Sequence, residues 1–229
     1  MKSSPPIISV IFDCDGVLVD SEEIANRTLA GLLTEAGLPT DYDEAVGVFR
    51  GRSMDSVLDI ASRLLGSPLP FDLAGRYYET IKDVFKRELQ PVPGVIEALD
   101  RIDLPSCVAS NGPLHKMEVT LRITGLWERF EGRIFSADEV AAGKPAPDLF
   151  LHAASRMGFD PSTTAVVEDS TLGVEAARAA GMRVFAYASH TPPGDLAAAG
   201  GQPFTNMAEL PDLLLRPQSA FPPSTRQTG

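Results

Sequence analysis

Ile7-Ile8-Ser9-Val10-Ile11-Phe12-Asp13-Cys14-Asp15-Gly16 is the stretch on which the fold turns. Its first six residues read as a strand buried on both faces. The apolar run then stops abruptly at two acids. In an extended chain residues i and i+2 face the same way, so Asp13 and Asp15 share a side and Cys14 points away. Gly16 lets the chain turn sharply out of the strand. Two carboxylates at one strand end repel each other unless a cation or a shared proton intervenes. An Asp-x-Asp-Gly segment also makes an ordinary turn. Directly after a buried strand that reading is less comfortable.

Outward from this strand, β-rich runs alternate with helical stretches. Ser106–Ser110, Ala165–Glu168 and Arg183–Ala186 read as further strands. Val95–Arg101, Pro113–Thr124, Pro147–Met157 and Thr171–Ala180 read as helices, with Pro113 and Pro147 in first turns and Gly181 as a C-terminal cap. Such alternation predicts an α/β class with a parallel sheet in a three-layer, Rossmann-like core. From about Ser21 to Gln90 the pattern breaks. Glu22–Ala36, Met54–Leu65 and Asp72–Glu88 carry helical spacing, and Gly37, Pro39, Gly66, Pro68 and Pro70 punctuate between them. So long a stretch is no loop. The expected organisation is an α/β core over 1–20 and 91–216, an all-helical insert over 21–90 and a flexible tail over 217–229, which is rich in Pro, Ser, Thr and Gln.

A chain of 229 residues with 44% hydrophobic content is long enough to bury a core without disulfide or metal staples. No apolar run of about 18 residues is present, so no transmembrane helix is expected. The opening Met-Lys-Ser-Ser-Pro-Pro lacks the apolar stretch of a signal peptide. The two cysteines, Cys14 and Cys107, sit in apolar strand-like runs and read as buried thiols. A reducing cytoplasm is the expected location. A formal charge of −11 argues against nucleic acid or an anionic membrane as the main partner. It is compatible with a small phosphorylated metabolite held in a locally positive pocket. A monomer or weak homodimer is the expected assembly.

Four short segments close strand-like runs, and ligands in open α/β sheets bind at such ends. Besides Asp13-Cys14-Asp15-Gly16 they are Ser110-Asn111-Gly112, Gly143-Lys144-Pro145 and Glu168-Asp169. Acids at two strand ends suggest an oxygen-only cation site of the kind that suits magnesium. Ser110, Asn111 and Gly112, before a helix, offer a hydroxyl and backbone N–H groups to a phosphate. They also make a good turn and cap. Lys144 alone reads as a solvated loop residue. Among carboxylates it becomes a point charge for a phosphoryl group.

Taken together, these segments resemble the haloacid dehalogenase-like superfamily over Ile7 to about Leu214. Phe12-Asp13-Cys14-Asp15-Gly16-Val17-Leu18-Val19-Asp20-Ser21 looks like its first motif and Val108-Ala109-Ser110-Asn111-Gly112 its second. Lys144-Pro145-Ala146-Pro147-Asp148 looks like the third, and Val167-Glu168-Asp169-Ser170 the fourth. A helical insert after the first motif resembles the cap of the phosphoglucomutase-like and phosphoglycolate phosphatase-like branch. The resemblance implies a magnesium-dependent phosphatase in which Asp13 is the nucleophile and Asp15 the general acid and then base. Asp13, Asp169 and the backbone carbonyl of Asp15 would bind Mg2+, with Glu168 reaching it directly or through water. Ser110 and Lys144 would hold the transferring phosphoryl group. Asp15 should have a raised pKa, from its acidic neighbour and partial burial.

Within that branch, Phe12–Asp20 and Ser110-Asn111-Gly112-Pro113 with Lys116-Met117 are similar to bacterial 6-phosphogluconate phosphatases. This implies a sugar or sugar-acid phosphate as substrate. Glu22, Asn26, Arg52 and Ser53 of the insert are candidate substrate contacts. His115 and Lys116 are candidates on the core side. A phosphomutase is the alternative, but beta-phosphoglucomutases carry a histidine where this chain has Ala25. None of the three histidines lies in the insert. A dehalogenase would leave the acidic clusters unexplained. A receiver-like phospho-acceptor would be about half this size, with its acceptor after a later strand.

Overall fold

A computed structural model describes residues 5–49, 52 and 54–216. Six parallel strands form one sheet in the order β3-β2-β1-β4-β5-β6. They are β1 (Ser9–Phe12), β2 (Ser106–Ser110), β3 (Ile134–Ser136), β4 (Thr164–Glu168), β5 (Arg183–Tyr187) and β6 (Gln202–Phe204). β1 lies centrally and pairs with β2 on one side and β4 on the other, with Phe12 opposite both Val108 and Val167. Strand order reverses between β1 and β4. A crevice outside the carboxyl ends of strands opens at such a reversal.

The strand period of two sorts the core into two layers. Val10, Phe12, Val108, Val167 and Phe185 enter one apolar cluster, whereas Ile11, Cys107, Ala109, Val166 and Val184 enter another. The first layer is covered by α5 (Val95–Arg101), α6 (Leu114–Ile123), α7 (Trp127–Phe130) and α11 (Leu210–Leu215), through Val95, Met117, Leu121, Phe130 and Leu210. The second is covered by α8 (Asp148–Met157), α9 (Thr171–Ala179) and α10 (Pro193–Ala198), through Leu149, Phe150, Val174 and Leu196. Central strands are therefore apolar over most of their length, and their polar chemistry gathers at their carboxyl ends, as at Ser110 and Glu168.

Between β1 and α5 the chain forms α1 (Glu22–Glu35), α2 (Tyr42–Phe49), α3 (Met54–Leu65) and α4 (Leu73–Glu88). These helices bury a cluster of their own, Leu29, Leu32, Leu33, Phe49, Val57, Ala61 and Leu73. α4 also reaches the core, where Ile81 and Phe85 join the first layer, and Tyr77 packs against both clusters. The two connections lie side by side: Asp20 N donates to Gln90 O and Val92 N to Leu18 O, each at 3.0 Å. Asp72 caps α4, its Oδ1 accepting from Gly75 N at 2.9 Å.

The structure departs from the sequence reading in a few elements. α2, α7, α10, α11 and the three-residue strands β3 and β6 were not anticipated. β6 tolerates Pro203 because it is the sheet edge, where a missing N–H breaks no ladder. Pro113 and Pro147 are the N-cap residues of α6 and α8, one position before the expected first turns. Gly181, at φ +78°, ends α9 as expected: its N–H bonds to Arg178 O and Met182 N to Ala177 O. The stretch expected as a tail, 217–229, lies outside the described residues.

Candidate active site

Four loops leaving the carboxyl ends of the strands meet at the reversal between β1 and β4. Asp13 follows β1 and is buried, with its N–H on Val167 O at 2.9 Å. The chain then doubles back: Leu18 N and Val19 N both donate to Cys14 O, and Gly16 N to Val19 O. Gly16 has φ +75°, and a Cβ there would lie 2.2 Å from Asp169 Oδ2. Only glycine closes this loop against the acid of β4.

At the end of β4, Glu168 is wholly buried. Its Oε2 accepts from Asp169 N at 2.9 Å, Ser170 N at 2.8 Å and Ser170 Oγ at 2.9 Å. Ser170 Oγ in turn accepts from Gly173 N at 3.0 Å, which caps α9. A Cβ on Gly173 would sit 1.8 Å from Glu168 Oε1. The carboxylate thus occupies the space that a side chain at position 173 would take.

Lys144, on the loop between β3 and α8, completes the buried half of the site. Its Nζ donates to Asp13 Oδ1 and to Glu168 Oε1, each at 2.7 Å, and lies 4.9 Å from the Phe150 ring centroid. The Asn111 side chain grips the lysine's main chain: Lys144 N donates to Asn111 Oδ1 at 2.9 Å, and Asn111 Nδ2 to Lys144 O at 3.3 Å. The peptide bond Lys144-Pro145 is cis. Asn111 was expected to bind phosphate. Its side chain is committed to Lys144, which leaves that task to its backbone N–H, the group the sequence reading assigned to it.

One carboxylate oxygen from each of Asp13, Glu168 and Asp169 lies within 4.8 Å of the others. Three carboxylates and the Lys144 ammonium thus crowd into one buried space. The Asp13 carboxyl is accordingly pushed up to about 7, by burial first, with Glu168 and Asp15 adding to the rise and Lys144 opposing it. A divalent cation would relieve this crowding, and an all-oxygen donor set suits a hard ion such as magnesium. The Asp15 side chain stands apart from the three, so its metal contact would fall to its carbonyl, as the resemblance implies.

Asp15 marks the second half of the site. Ser21 Oγ donates to its Oδ1 at 2.6 Å and Lys116 Nζ to its Oδ2 at 2.8 Å. Burial would raise its pKa, but the Lys116 ion pair, the Ser21 hydrogen bond and the Lys144 charge outweigh it and hold the carboxyl below its usual value. The expected rise is therefore found on Asp13, not on Asp15. Lys116 is the cause, and nothing local in the sequence places it beside a residue 101 positions away. Ser110, buried at the end of β2, accepts from Gly112 N at 3.2 Å, and Gly112 O accepts from Ser136 Oγ at 2.9 Å.

Glu22 and Asn26 line a cleft of about 220 Å³ with Tyr42, Val46, Ser189 and His190. A neighbouring cleft of about 170 Å³, beside Gly16 and Asp20, shares Ser189 and His190. Asn26 Nδ2 is turned to its own helix, donating to Glu22 O at 2.8 Å. Arg52 is exposed, its Nε on Val48 O at 2.7 Å, and it is not in either lining. Ser53 lies outside the described residues. His115 is exposed at the start of α6. Sequence reasoning missed Ser21, Tyr77 and His190. Ser21 had a signal, since it closes the first motif; Tyr77 and His190 had none.

A family profile described as haloacid dehalogenase-like hydrolase matches residues 9–181. The 6-phosphogluconate phosphatase of Escherichia coli K12 is 32% identical over 208 residues, 90% of this chain and 94% of that protein. Among solved structures, a haloacid dehalogenase-like protein of unknown function from Agrobacterium tumefaciens is 38% identical with a TM-score of 0.82, covering 91% of this chain and 97% of that one. A hydrolase from Deinococcus radiodurans, solved with bound phosphate and sodium, is 30% identical with a TM-score of 0.79, covering 93% and 99%.

Proposed function

The chain belongs to the haloacid dehalogenase-like hydrolases, and from that premise we propose a magnesium-dependent phosphatase acting on sugar and sugar-acid phosphates, 6-phosphogluconate among them. One observation carries the mechanism. A buried ammonium, Lys144, bridges the carboxylates of Asp13 and Glu168 at 2.7 Å each, with Asp169 in the same acidic cluster. A carboxylate cannot approach a phosphate dianion without fixed positive charge nearby.

Asp13 attacks phosphorus, and the bond from phosphorus to the leaving oxygen breaks to give an aspartyl-phosphate. Asp15, which Lys116 and Ser21 hold ionised in the free site, takes up a proton from solvent as substrate binds and passes it to the departing oxygen. It then takes a proton from the water that attacks the same phosphorus, releasing phosphate and regenerating Asp13. Lys144 neutralises charge on the phosphoryl oxygens, with the Ser110 hydroxyl and the Asn111 and Gly112 main chain beside it. Asp13, Asp169 and the Asp15 carbonyl would hold Mg2+, which supplies further charge neutralisation. Glu168 has both oxygens engaged by Lys144, Asp169 and Ser170, so it anchors the lysine and would meet the ion only through water. The insert, 21–90, is the cap that excludes water and reads the leaving group. Two buried free cysteines fit a reducing cytoplasm, and the acidic chain fits a monomer or weak homodimer without nucleic acid. Among the described residues no helix is long and apolar enough to cross a membrane.

Ala25, packed against the core, favours hydrolysis over phosphomutase chemistry, since it offers no group to handle a proton at that position. The test is a panel of phosphorylated metabolites with magnesium, repeated in EDTA, together with mass spectrometry of Asp13→Asn after substrate addition. Turnover that survives chelation removes the metal, and phosphoenzyme on the mutant removes Asp13 as nucleophile.

A further inference from the structure

The two lysines of the site are placed very differently. The Lys144 side chain is 4% exposed and fixed between two carboxylates, whereas that of Lys116 is 38% exposed and bonded to Asp15 alone among the described residues. An ammonium has three N–H donors, so two remain on Lys116. Asp15 Oδ1 is taken by the buried Ser21 hydroxyl, which leaves Oδ2, the oxygen held by Lys116, to face a substrate. The Gly112 position fixes where that happens. A Cβ there would lie 3.6 Å from Ser110 Oγ, 3.7 Å from Asp15 Oδ2 and 3.8 Å from Lys116 Cδ. The hydroxyl assigned to the phosphoryl group, the acid assigned to the leaving oxygen and the lysine stem therefore meet at one corner. A leaving oxygen on Asp15 Oδ2 would have the Lys116 ammonium, 2.8 Å from Oδ2, beside its next atoms.

Tyr77 approaches the same corner from the insert. The helix that carries it, α4, packs against α6, which carries Lys116, and the Tyr77 ring packs against both the core cluster and the insert cluster. The Tyr77 hydroxyl has no hydrogen-bond partner among the described residues. Unspent donors thus flank the path of the leaving group from both sides of the seam.

We propose that Lys116 and Tyr77 read the leaving group by binding an oxygen carried next to the phosphoester carbon, so that polyol and sugar-acid phosphates are favoured over phosphates of simple alcohols and phenols. This rests on the phosphatase reading above and names the chemistry of its substrate class. A site built to hydrogen-bond a substrate hydroxyl penalises an analogue lacking it, because its own polar groups are then left unpaired.

The test compares 6-phosphogluconate with n-hexyl phosphate, whose alcohol leaving group needs the same proton from Asp15 but carries no oxygen next to the phosphoester carbon. Both pass through the same phosphoenzyme, so the leaving group acts only in the first step and is reported by kcat/KM. Lys116→Met keeps the stem and removes the charge. It should lower the ratio of kcat/KM for 6-phosphogluconate over n-hexyl phosphate about 30-fold, the scale of one charge-assisted hydrogen bond. Lys116→Arg should recover part of the ratio. Tyr77→Phe, which keeps the ring packing, should lower it roughly fivefold and covers the case of a misfolded Lys116 variant. A ratio unchanged within roughly twofold in Lys116→Met and Tyr77→Phe overturns the proposal. So does an equal fall on both substrates, which would mean that Lys116 acts only by positioning Asp15. A wild-type enzyme with no preference for the sugar-acid phosphate sinks the substrate class itself, before any variant is made.

Discussion

Metal-free protein should lose stability as pH rises from 5 to 8, and Asp13→Asn should abolish that part of the loss. The unfolded Asp13 carboxyl titrates near 3.8 and the folded one near 7, chiefly because burial disfavours its charge. Below the lower value both states are protonated and Asp13 contributes nothing. Between the two values the unfolded chain releases a proton that the folded chain retains, so folding becomes steadily less favourable as pH rises. Above about 7 the penalty is constant. Each unit is worth about 1.4 kcal/mol, so the two units between pH 5 and 7 come to about 3 kcal/mol. For a chain of this size that is about 5–10 °C in Tm. The assay is thermal melting in EDTA at pH 5, 6, 7 and 8, for wild type and Asp13→Asn. The asparagine keeps an acceptor for Lys144, and subtracting the two profiles cancels the three histidines. The difference should grow with pH in favour of the mutant, and saturating magnesium should shrink it by stabilising the wild type alone. A difference that stays flat, or a mutant that melts below wild type at pH 8, refutes the argument that Asp13 is a buried carboxylate crowded by its neighbours.

Gly173→Ala should destabilise by about 3 kcal/mol in urea titration, against the usual gain for this exchange in a helix, because the new methyl meets the Glu168 carboxylate. Gly16→Ala should reduce kcat at least about 100-fold while the protein remains folded by circular dichroism, since both its φ of +75° and Asp169 exclude a Cβ. Asn111→Ala should lower kcat about tenfold and cost about 1–2 kcal/mol in melting, as the Lys144 main chain loses both of its side-chain partners. Lys144→Met should cost about 3–5 kcal/mol in metal-free protein, with a larger deficit at pH 8 than at pH 5.5, because Asp13 and Glu168 are left without their cation.

The strand ends were legible because central parallel strands are buried on both faces. Where Phe12 gives way to Asp13, or Val167 to Glu168, the change from apolar to acidic marks a strand's carboxyl end without any knowledge of the partner strand. The helical stretch was legible for the opposite reason, a long absence of strand period with glycines and prolines between amphipathic runs. β3 and β6, at three residues each, are too short to show a period of two, and their register is set by β2 and β5. α2 carries Gly47 mid-helix, which weakens its local signal, and it holds through Ala45 and Phe49 packed under α1. The pairing of Lys116 with Asp15 is tertiary, made when α6 packs on the first layer through Met117 and Leu121. Without that pairing, neighbouring charges alone predict a raised pKa for the wrong aspartate.

The two halves of the site are built to different tolerances, and their tasks call for that. Phosphoryl transfer through Asp13 is the same for every substrate, and the groups around it are buried and held more than once. Lys144 has two carboxylates, an aromatic face and Asn111, and Glu168 has Lys144, two main-chain N–H groups and Ser170. The leaving group is what differs between substrates, and the groups placed to meet it, Lys116 and Tyr77, are half-buried and keep unused donors. One comes from the core and the other from the insert, so their spacing follows how α4 packs on α6. A change in the insert can therefore retune leaving-group preference without disturbing the buried cluster, whereas a change at Glu168, Gly173 or Asn111 reaches Lys144 and with it every substrate alike.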